Sequence, residues 1–234
     1  MKPIIIANWK MNLPFNAAQS LIQHTQSLTH SYDILLSPPA PYLAYFANKY
    51  MQLTFCAQDI SAFRGFGAYT GEYSAELIKS CGVHYAIIGH SERRTMMLET
   101  NKMVNQKISN CIQADITPIL CIGENLEARQ NNNFKELLLE QISYIPATAK
   151  NIIIAYEPVW AIGTGISPSQ NEIAEVVTLI KNNNVSLVAQ TAPIVYGGSV
   201  SSNNFKEIIS ISGINGTLIG SASLNKSELS KILN

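Results

Sequence analysis

The sequence predicts an α/β fold, a single closed barrel of eight parallel strands, each followed by a helix. Short apolar runs alternate with helix-like segments along the whole chain, which is the pattern of repeated βα units. Most of these runs are apolar throughout, as expected for parallel strands that helices cover on the outside. The length of 234 residues also suits one barrel, since such domains commonly contain about 200–250 residues. We therefore predict one domain spanning residues 1–234.

The predicted elements follow one another along the chain. Helical periodicity marks the segments between strands; for example, Ile173, Val176, Val177 and Ile180 recur at i, i+3, i+4 and i+7. In residues 167–170, a serine cap, a proline at the first helical position and a glutamine that completes a capping box predict a helix start. The predicted strands are residues 3–8, 32–37, 52–57, 85–89, 116–122, 152–156, 194–196 and 216–219.

An open, doubly wound sheet is the alternative fold. Its usual phosphate-binding motifs are absent from the sequence. Gly65, Gly67 and Gly71 do not have the G-x-G-x-x-G spacing, and no G-x-x-x-x-G-K-[ST] sequence occurs. The eight βα pairs therefore favour the closed barrel.

The composition argues against several classes of partner. Lys+Arg and Asp+Glu both number 16, so no net positive charge attracts nucleic acid or an anionic membrane. No apolar stretch is long enough to span a bilayer, and the N-terminal residues do not have the pattern of a secretory signal. The four cysteines form neither a C-x-x-C pair nor a metal-binding spacing with histidine. We expect a cytoplasmic protein with reduced thiols, no metal and no organic cofactor.

The segment A-Y-E-P-V-W-A-I-G-T-G at residues 155–165 carries the strongest chemical signal. Glu157 ends an apolar run and is followed by Pro158, which disfavours helical backbone at the preceding residue. A carboxylate held at the tip of a strand can act as a general base. Trp160 and the glycines after it suggest a lid that covers this base. The alternative is an ordinary βα loop with a solvated glutamate.

A second cluster, G-H-S-E-R-R at residues 89–94, follows another strand. His90 is expected at the C-terminal end of the barrel, where barrel enzymes place their sites. The next segment looks helical, and its first N–H groups can donate to one imidazole nitrogen, which disfavours a second proton and keeps the ring neutral. The alternative role is a histidine that only caps a helix. We expect Glu92 and Arg94 to form an ion pair or a network within the site wall and Arg93 to lie on the surface.

Two further features lie at predicted strand ends. Lys10, in A-N-W-K-M-N, is a fixed cation that can hold an anionic substrate, although most lysines are solvated loop residues. Late in the chain, Y-G-G-S at residues 196–199 and I-G-S at residues 219–221 end strands seven and eight. Small residues there let backbone N–H groups converge on a phosphate, as the corresponding loops of many barrels do.

Four segments together resemble the triosephosphate isomerase family: N-W-K-M-N (8–12), G-H-S-E-R-R (89–94), A-Y-E-P-V-W-A-I-G-T-G (155–165) and Y-G-G-S-V (196–200). They occur in the family's order, and the resemblance spans essentially the whole chain. It implies an intramolecular aldose–ketose isomerase of glycolysis and gluconeogenesis. Such an enzyme interconverts dihydroxyacetone phosphate and D-glyceraldehyde 3-phosphate through an enediol(ate), without a metal or cofactor.

The resemblance also implies a role for individual residues. Glu157 would shuttle the proton between neighbouring carbons, and His90, as a neutral electrophile, would bind the carbonyl and enediol(ate) oxygens. Lys10 would supply positive charge beside the substrate, and Asn8 a polar contact to its oxygens. Glu92 would order Lys10 from behind the site. Cys121 would pack against the base without reacting. Phosphate-binding N–H groups would come from Gly163, Ser199, Gly220 and Ser221.

The lid implied by the resemblance covers residues 158–165. Besides Gly163, it contains Pro158, Val159, Trp160, Ala161, Ile162, Thr164 and Gly165. The chain departs from many relatives after strand eight, where Gly220-Ser221 replaces a glycine pair; serine keeps the N–H, so we expect phosphate binding to survive. A second departure is the C-terminal hinge Ile166-Ser167-Pro168, which bears on lid kinetics and not on the chemistry.

Residues 58–74 form a loop long enough to need an explanation. It carries Phe63, Phe66 and Tyr69, and exposed aromatic side chains on such a loop usually mark an interface. The resemblance implies that Thr70, at its tip, enters a pocket near Lys10 of a second subunit. We therefore predict a homodimer; the alternative is a loop folded onto its own barrel.

Two other functions compete with this interpretation. Glu92 and Glu157 could be the paired carboxylates of a glycoside hydrolase, but sugar-stacking aromatics are sparse near these motifs and the glycine- and serine-rich loops would have no role. The chain could also be a non-catalytic binding or scaffold protein that kept the barrel. The presence of Glu157, His90 and Lys10 together argues against that.

Overall fold

Eight parallel strands close into a barrel in the order of the sequence, from β1 to β8, which confirms the predicted fold class. The architecture comes from a computed structural model that describes residues 2–28, 31–162 and 167–234. The strands are β1 (Ile4–Asn8), β2 (Asp33–Ser37), β3 (Thr54–Ala57), β4 (Tyr85–Ile88), β5 (Thr117–Ile122), β6 (Ile153–Tyr156), β7 (Ile194–Tyr196) and β8 (Ile214–Ile219).

Helices surround the barrel and connect successive strands. Two 3₁₀ turns, Val159–Ala161 and Ser221–Leu224, follow β6 and β8. The α-helices are α1 (Phe15–Ser27), α2 (Ala40–Lys49), α3 (Ala75–Ser80), α4 (Ser91–Met96), α5 (Asn101–Gln113), α6 (Leu126–Gln130), α7 (Phe134–Ser143), α8 (Gln170–Lys181), α9 (Leu187–Thr191), α10 (Phe205–Ser210) and α11 (Lys226–Leu233). No helix of the described residues is both long and apolar enough to cross a membrane.

The hydrophobic core has two layers because each strand is buried on both faces. In β1, Ile4 and Ile6 belong to the small cluster inside the barrel, whereas Ile5 and Ala7 belong to the larger cluster between barrel and helices. This alternation explains why the strands are apolar throughout and do not alternate with polar residues.

The start of α8 differs from the sequence-based expectation. The N-cap is Ser169 and not Ser167. Ser169 forms a full capping box with Glu172, whose carboxylate accepts the Ser169 N–H at 2.7 Å while the Ser169 hydroxyl accepts the Glu172 N–H at 3.3 Å. A charged partner three residues after Ser169 makes this the stronger cap, so Pro168 precedes the helix.

All eight strands point the same way, so their C-terminal ends form one rim of the barrel. Asn8 ends β1, His90 lies two residues beyond β4, and Glu157 follows β6 directly. Residues that are distant in sequence therefore meet at this rim, where barrel enzymes place their active sites.

Candidate active site

The rim holds Glu157 in a tightly packed backbone position. Its N–H donates to the carbonyl of Ile122, at the end of β5, over 2.7 Å. On the other side of this contact, a Cβ placed on Gly123 would lie 1.7 Å from the Glu157 carbonyl oxygen. Only glycine allows strands β5 and β6 to approach this closely. The backbone of Glu157 is thus held in place, and this sets the point from which its side chain extends.

The Glu157 side chain is buried against the start of α4. The residue is 1 % exposed, and its Oε2 accepts the backbone N–H of Ser91 at 3.0 Å. Its Oε1 lies 3.0 Å from Nε2 of His90, but it is a buried oxygen with no aligned hydrogen bond from the described residues. Burial is the largest influence on the Glu157 pKa and raises it, but His90, the Ser91 N–H and Lys10 together hold the pKa below its ordinary value.

His90 caps α4 and faces the carboxylate with its other nitrogen. Its Nδ1 accepts the N–H of Glu92 at 3.3 Å, so the proton of a neutral ring lies on Nε2, the atom nearest to Glu157. Burial lowers the His90 pKa, but the Glu157 carboxylate outweighs burial and raises it above the ordinary value. The helix N–H donates to Nδ1, as the sequence predicted. The sequence did not show that a carboxylate contacts the other nitrogen and favours a second proton there.

Lys10 lies in a strained loop that several polar groups hold. Its φ of 53° is in the left-handed region, which is rare for a side-chain-bearing residue and typical of functional sites. The Lys10 N–H donates to Asn8 Oδ1 at 3.0 Å, and its Nζ donates to Glu92 Oε1 at 2.6 Å. Gln58, just after β3, donates through Nε2 to the carbonyls of Lys10 and Ser37, both at 2.8 Å.

A cavity of about 260 Å³ opens between these side chains and the ends of β7 and β8. Lys10 comes near its glycine-rich wall: a Cβ on Gly220 would lie 3.6 Å from Lys10 Cε. The Glu157 carboxyl group does not line the cavity, because it is turned towards Ser91. Among the sequence-predicted residues, those in the cavity wall are Asn8, Lys10, His90, Ile162, Ser199, Gly220 and Ser221.

Other predicted residues lie behind or away from this cavity. Glu92 contacts Lys10, as described above, and Cys121 is buried inside the barrel. Burial raises the Cys121 pKa well above its ordinary value, and the charge of Glu157 adds to this effect, so the thiol is not a nucleophile. Thr70 lies exposed on the loop after β3. The predictions for Gly163, Thr164, Gly165 and Ile166 fall outside the described residues.

Glu124, which the sequence did not single out, holds the first part of the lid. This fully buried carboxylate accepts the Trp160 indole N–H at 3.1 Å and the Tyr156 hydroxyl at 3.0 Å, both on Oε1. Its backbone carbonyl accepts the Val159 N–H at 3.0 Å. Burial raises the Glu124 pKa. Among residues 158–162, the described part of the predicted lid, Pro158 and Ala161 are buried and Ile162 reaches the cavity wall.

The two arginines of the G-H-S-E-R-R segment differ from the sequence-based expectation. The Arg93 side chain is 36 % exposed, but it is not a free surface cation: its Nε lies 2.5 Å from Glu99 Oε1 and 2.9 Å from Asp59 Oδ2. Arg94 does not pair with Glu92, which binds Lys10; it donates to backbone carbonyls and to Asn101. Sequence spacing showed that both residues follow His90 but could not show which partners the fold brings to them.

Comparison with known proteins agrees with this geometry. Residues 3–234 match the model of the family described as triosephosphate isomerase. The chain belongs to the triosephosphate isomerase family. Over its full length it is 41 % identical to the triosephosphate isomerase of Orientia tsutsugamushi (strain Boryong), 38 % to that of Alkaliphilus oremlandii (strain OhILAs) and 36 % to that of Francisella tularensis subsp. novicida (strain U112). These alignments cover 97 %, 99 % and 97 % of the three relatives.

The family was recognisable from the sequence alone, but two groups that hold Glu157 and Lys10 were not. The Ser91 N–H binds the carboxylate through the backbone, so the side chain at position 91 gives no sign of it. Gln58 directly follows a predicted strand, and a polar residue at such a position is a signal that could have been used.

Proposed function

We propose that this chain is an isomerase that interconverts dihydroxyacetone phosphate and D-glyceraldehyde 3-phosphate through an enediol(ate), in glycolysis and gluconeogenesis. The observation that carries the proposal is a buried carboxylate, Glu157, whose Oε1 lies 3.0 Å from the imidazole Nε2 of His90 at the rim that also holds the Lys10 ammonium. Membership of the triosephosphate isomerase family supports the same conclusion.

The reaction needs a proton removed from a carbon next to a carbonyl group. Glu157 takes this proton and returns it to the neighbouring carbon. The hydroxyl proton of the substrate passes to the former carbonyl oxygen by way of His90 Nε2, so atoms and electrons balance. In the substrate-free protein, His90, the Ser91 N–H and Lys10 hold the Glu157 pKa below its ordinary value. When Glu157 gives up these contacts, burial raises its pKa and makes the carboxylate a stronger base. To reach substrate, Glu157 must exchange its contact with the Ser91 N–H for a position in the cavity.

Negative charge develops on the substrate oxygens when the proton leaves. His90 and Lys10 line the cavity and offer an imidazole N–H and an ammonium group to these oxygens. Once Glu157 moves or is protonated, the main cause of the raised His90 pKa is gone, and the neutral ring donates from Nε2. Asn8, 4 % exposed, keeps its amide in the same wall and orders the Lys10 backbone.

The phosphate group would bind at the opposite wall of the cavity. Backbone N–H groups of Ser199, Gly220 and Ser221 are the donors we assign there, with Gly163 joining from the lid. Binding energy from this non-reacting group can hold the lid closed over the intermediate. A closed lid also excludes water from an enediolate that would otherwise lose phosphate.

A glycoside hydrolase mechanism does not suit the carboxylates. A general acid must carry a proton, whereas the Glu92 carboxylate forms an ion pair with Lys10 over 2.6 Å.

The decisive experiment is a coupled assay of the pure protein with glyceraldehyde 3-phosphate, in which dihydroxyacetone phosphate is reduced by an auxiliary dehydrogenase. In heavy water, a carboxylate that shuttles the proton exchanges it with solvent, so deuterium should enter the carbon-bound position of the product. Absence of turnover by folded protein would leave only a binding or scaffold role.

A homodimer is part of this proposal, and it rests on the loop after β3. Phe66 is 76 % exposed, and Phe63 stacks on Tyr69 with ring centroids 4.0 Å apart. Met11, beside Lys10, is 96 % exposed. Side chains this apolar are costly to leave in water, and a second subunit would cover them. We assign Thr70 to the pocket near Lys10 of that subunit and place the protein in the cytoplasm.

Sedimentation of matched variants tests the dimer. Phe66→Asp should convert a dimer to monomer at micromolar concentration. Leu187→Asp is the control, because Leu187 is 78 % exposed but precedes β7, across the barrel from β3. A wild-type protein that sediments as a monomer would contradict the assignment.

A further inference from the structure

Arg94 is a half-buried cation that binds neutral groups and no carboxylate. Its Nε donates to the Gly89 carbonyl at 2.7 Å, its Nη2 to the Cys121 carbonyl at 3.2 Å, and its Nη1 to Asn101 Oδ1 at 2.7 Å. No ion pair joins it to a carboxylate in the described part of the chain. Burying a charge costs free energy unless an opposite charge or hydrogen bonds compensate. The Arg94 guanidinium donates to neutral groups, so an ion pair does not explain why it lies here.

The two carbonyls belong to strand ends that carry the chemistry. Gly89 directly precedes His90, and Cys121 directly precedes Ile122, whose carbonyl accepts the Glu157 N–H at 2.7 Å. One guanidinium therefore connects the backbone beside the proposed electrophile to the backbone beside the proposed base. Arg94 also lies on α4, the helix whose Ser91 N–H binds the Glu157 carboxylate.

The surroundings of Arg94 fix it in this place. A Cβ on Gly89 would lie 2.9 Å from Arg94 Nη2, so glycine at this position, with φ of +68°, leaves room for the guanidinium. On the outer side, Asn101 is itself held by Glu140, whose Oε1 accepts the Asn101 amide N–H at 3.1 Å. The contacts thus run from α7 through α5 to the rim of the barrel.

We propose that Arg94 is a positioning residue for the isomerisation: by bridging the ends of β4 and β5, it sets the distance between His90 and Glu157. The inference rests on the proposed function. Lysine cannot replace it, because a single ammonium cannot span two carbonyls and an amide as the planar fork does. Misplacement of reacting groups by about 1 Å can cost roughly a hundredfold in rate.

Arg94→Lys tests this inference, with Arg93→Lys as the matched control. Arg93 precedes Arg94 on the same helix, but its partners are Glu99 and Asp59. Arg94→Lys should lower kcat about tenfold to a hundredfold. The inhibition constant of inorganic phosphate should stay within about twofold, because the groups assigned to phosphate lie across the cavity. Arg93→Lys should leave kcat within about twofold of wild type when sedimentation shows the same oligomeric state.

A second measurement separates positioning from loss of fold. In Arg94→Lys, the imidazole resonances of His90 should shift and its titration should change, while hydrogen exchange in α8 and α11 stays as in wild type. Wild-type kcat in folded Arg94→Lys would overturn the inference. The inference would also be overturned if Arg94→Lys lost activity and phosphate affinity to the same extent and its hydrogen exchange increased throughout the barrel. Lack of activity in the folded wild-type protein would instead contradict the proposed function. Failure of this inference and failure of the proposed function can therefore be told apart.

Discussion

The two ends of the barrel carry cavities of different size and different chemistry. At the N-terminal end, a cavity of about 380 Å³ is lined by residues that begin strands, such as Ile4, Asp33, Thr54, Tyr85 and Ile153. The cavity at the C-terminal end is smaller, about 260 Å³, yet it holds an ammonium, an imidazole and glycine-rich backbone. The larger hollow has more room, but its described lining residues include no lysine, arginine or histidine. Convergence of charge and backbone donors, and not volume, identifies the functional end.

Backbone direction explains the difference. At the C-terminal rim, the loops after the strands lead into helices whose first N–H groups point back at the site, as that of Ser91 does towards Glu157. At the N-terminal rim, helices end and the chain enters the strands, as between α1 and β2. The lesson is that strand polarity assigns chemistry to one end before any side chain is considered.

The largest expected effect comes from removing Glu157, the proposed base, at the C-terminal end. Glu157→Gln keeps the size of the side chain but removes its basicity. We expect kcat to fall by roughly a hundredfold to ten-thousandfold, the usual scale for loss of a general base. Steady-state kinetics with glyceraldehyde 3-phosphate measures this. Unchanged turnover in a folded variant would show that the carboxylate is not the base.

The next effect concerns the cation of the same rim. Lys10→Met removes the ammonium that faces the cavity and leaves Glu92 without its partner. Loss of one preorganised group that stabilises developing charge should lower kcat/KM by about a hundredfold. Lys150→Met is the matched control, because Lys150 is exposed and lines cavities at the N-terminal end. If Lys10→Met and Lys150→Met lowered kcat/KM equally, the two ends of the barrel would not differ in function.

A smaller effect is the pH dependence of the contact between His90 and Glu157. The raised His90 pKa gives stability that is present below the ordinary value of 6.5 and is lost as pH rises through the folded value. The lowered Glu157 pKa gives stability that is present above the ordinary value of 4.5 and is lost as pH falls through the folded value. The contact should therefore stabilise the free protein most between pH 4.5 and 6.5.

Denaturant unfolding and NMR check this dependence. The difference in unfolding free energy between wild type and Glu157→Gln should be larger at about pH 5.5 than at about pH 8.5. In the NMR titration, the His90 pKa should fall in Glu157→Gln, since burial then acts with less opposition. A His90 pKa that is the same in both proteins would exclude the carboxylate as its cause.

The smallest effect is expected at the N-terminal end. Asp33 is exposed at the first position of β2, and its backbone N–H bonds to the Pro3 carbonyl. Asp33→Asn should change stability by less than about 0.5 kcal/mol, as is usual for surface substitutions. Its kcat/KM should equal that of wild type in the same coupled assay. A clear loss of activity would show that the larger cavity takes part in the reaction.

The sequence predicted the barrel and the strands well because both depend on local patterns. All eight strands occur at the predicted places, but β8 begins at Ile214, two residues earlier than expected. Gly216, the first residue of the predicted strand, lies within the observed strand, where a Cβ would come 1.9 Å from the Ile4 carbonyl oxygen. Close packing between strands, which a sequence does not display, explains this error.

The candidate site was only partly predictable for the same reason. Glu157, His90 and Lys10 could be predicted from their residue types and from their positions at strand ends. Two of the three partners of Arg94 are backbone carbonyls, and Glu124 binds groups on residues more than 30 positions away. Such contacts form only after the chain has folded, so residue types and spacing carry no trace of them.

Gly123 has a consequence for the evolution and engineering of this enzyme. Because a side chain at position 123 would occupy the volume of the Glu157 carbonyl oxygen, no substitution can be absorbed by a rotamer change; the whole rim would have to part. In a saturation library selected for growth on triose phosphates, this codon should remain glycine as strictly as the codon of the base itself. The Glu157 carbonyl oxygen thus restricts the residue at position 123 as strictly as the proposed reaction restricts the residue at position 157.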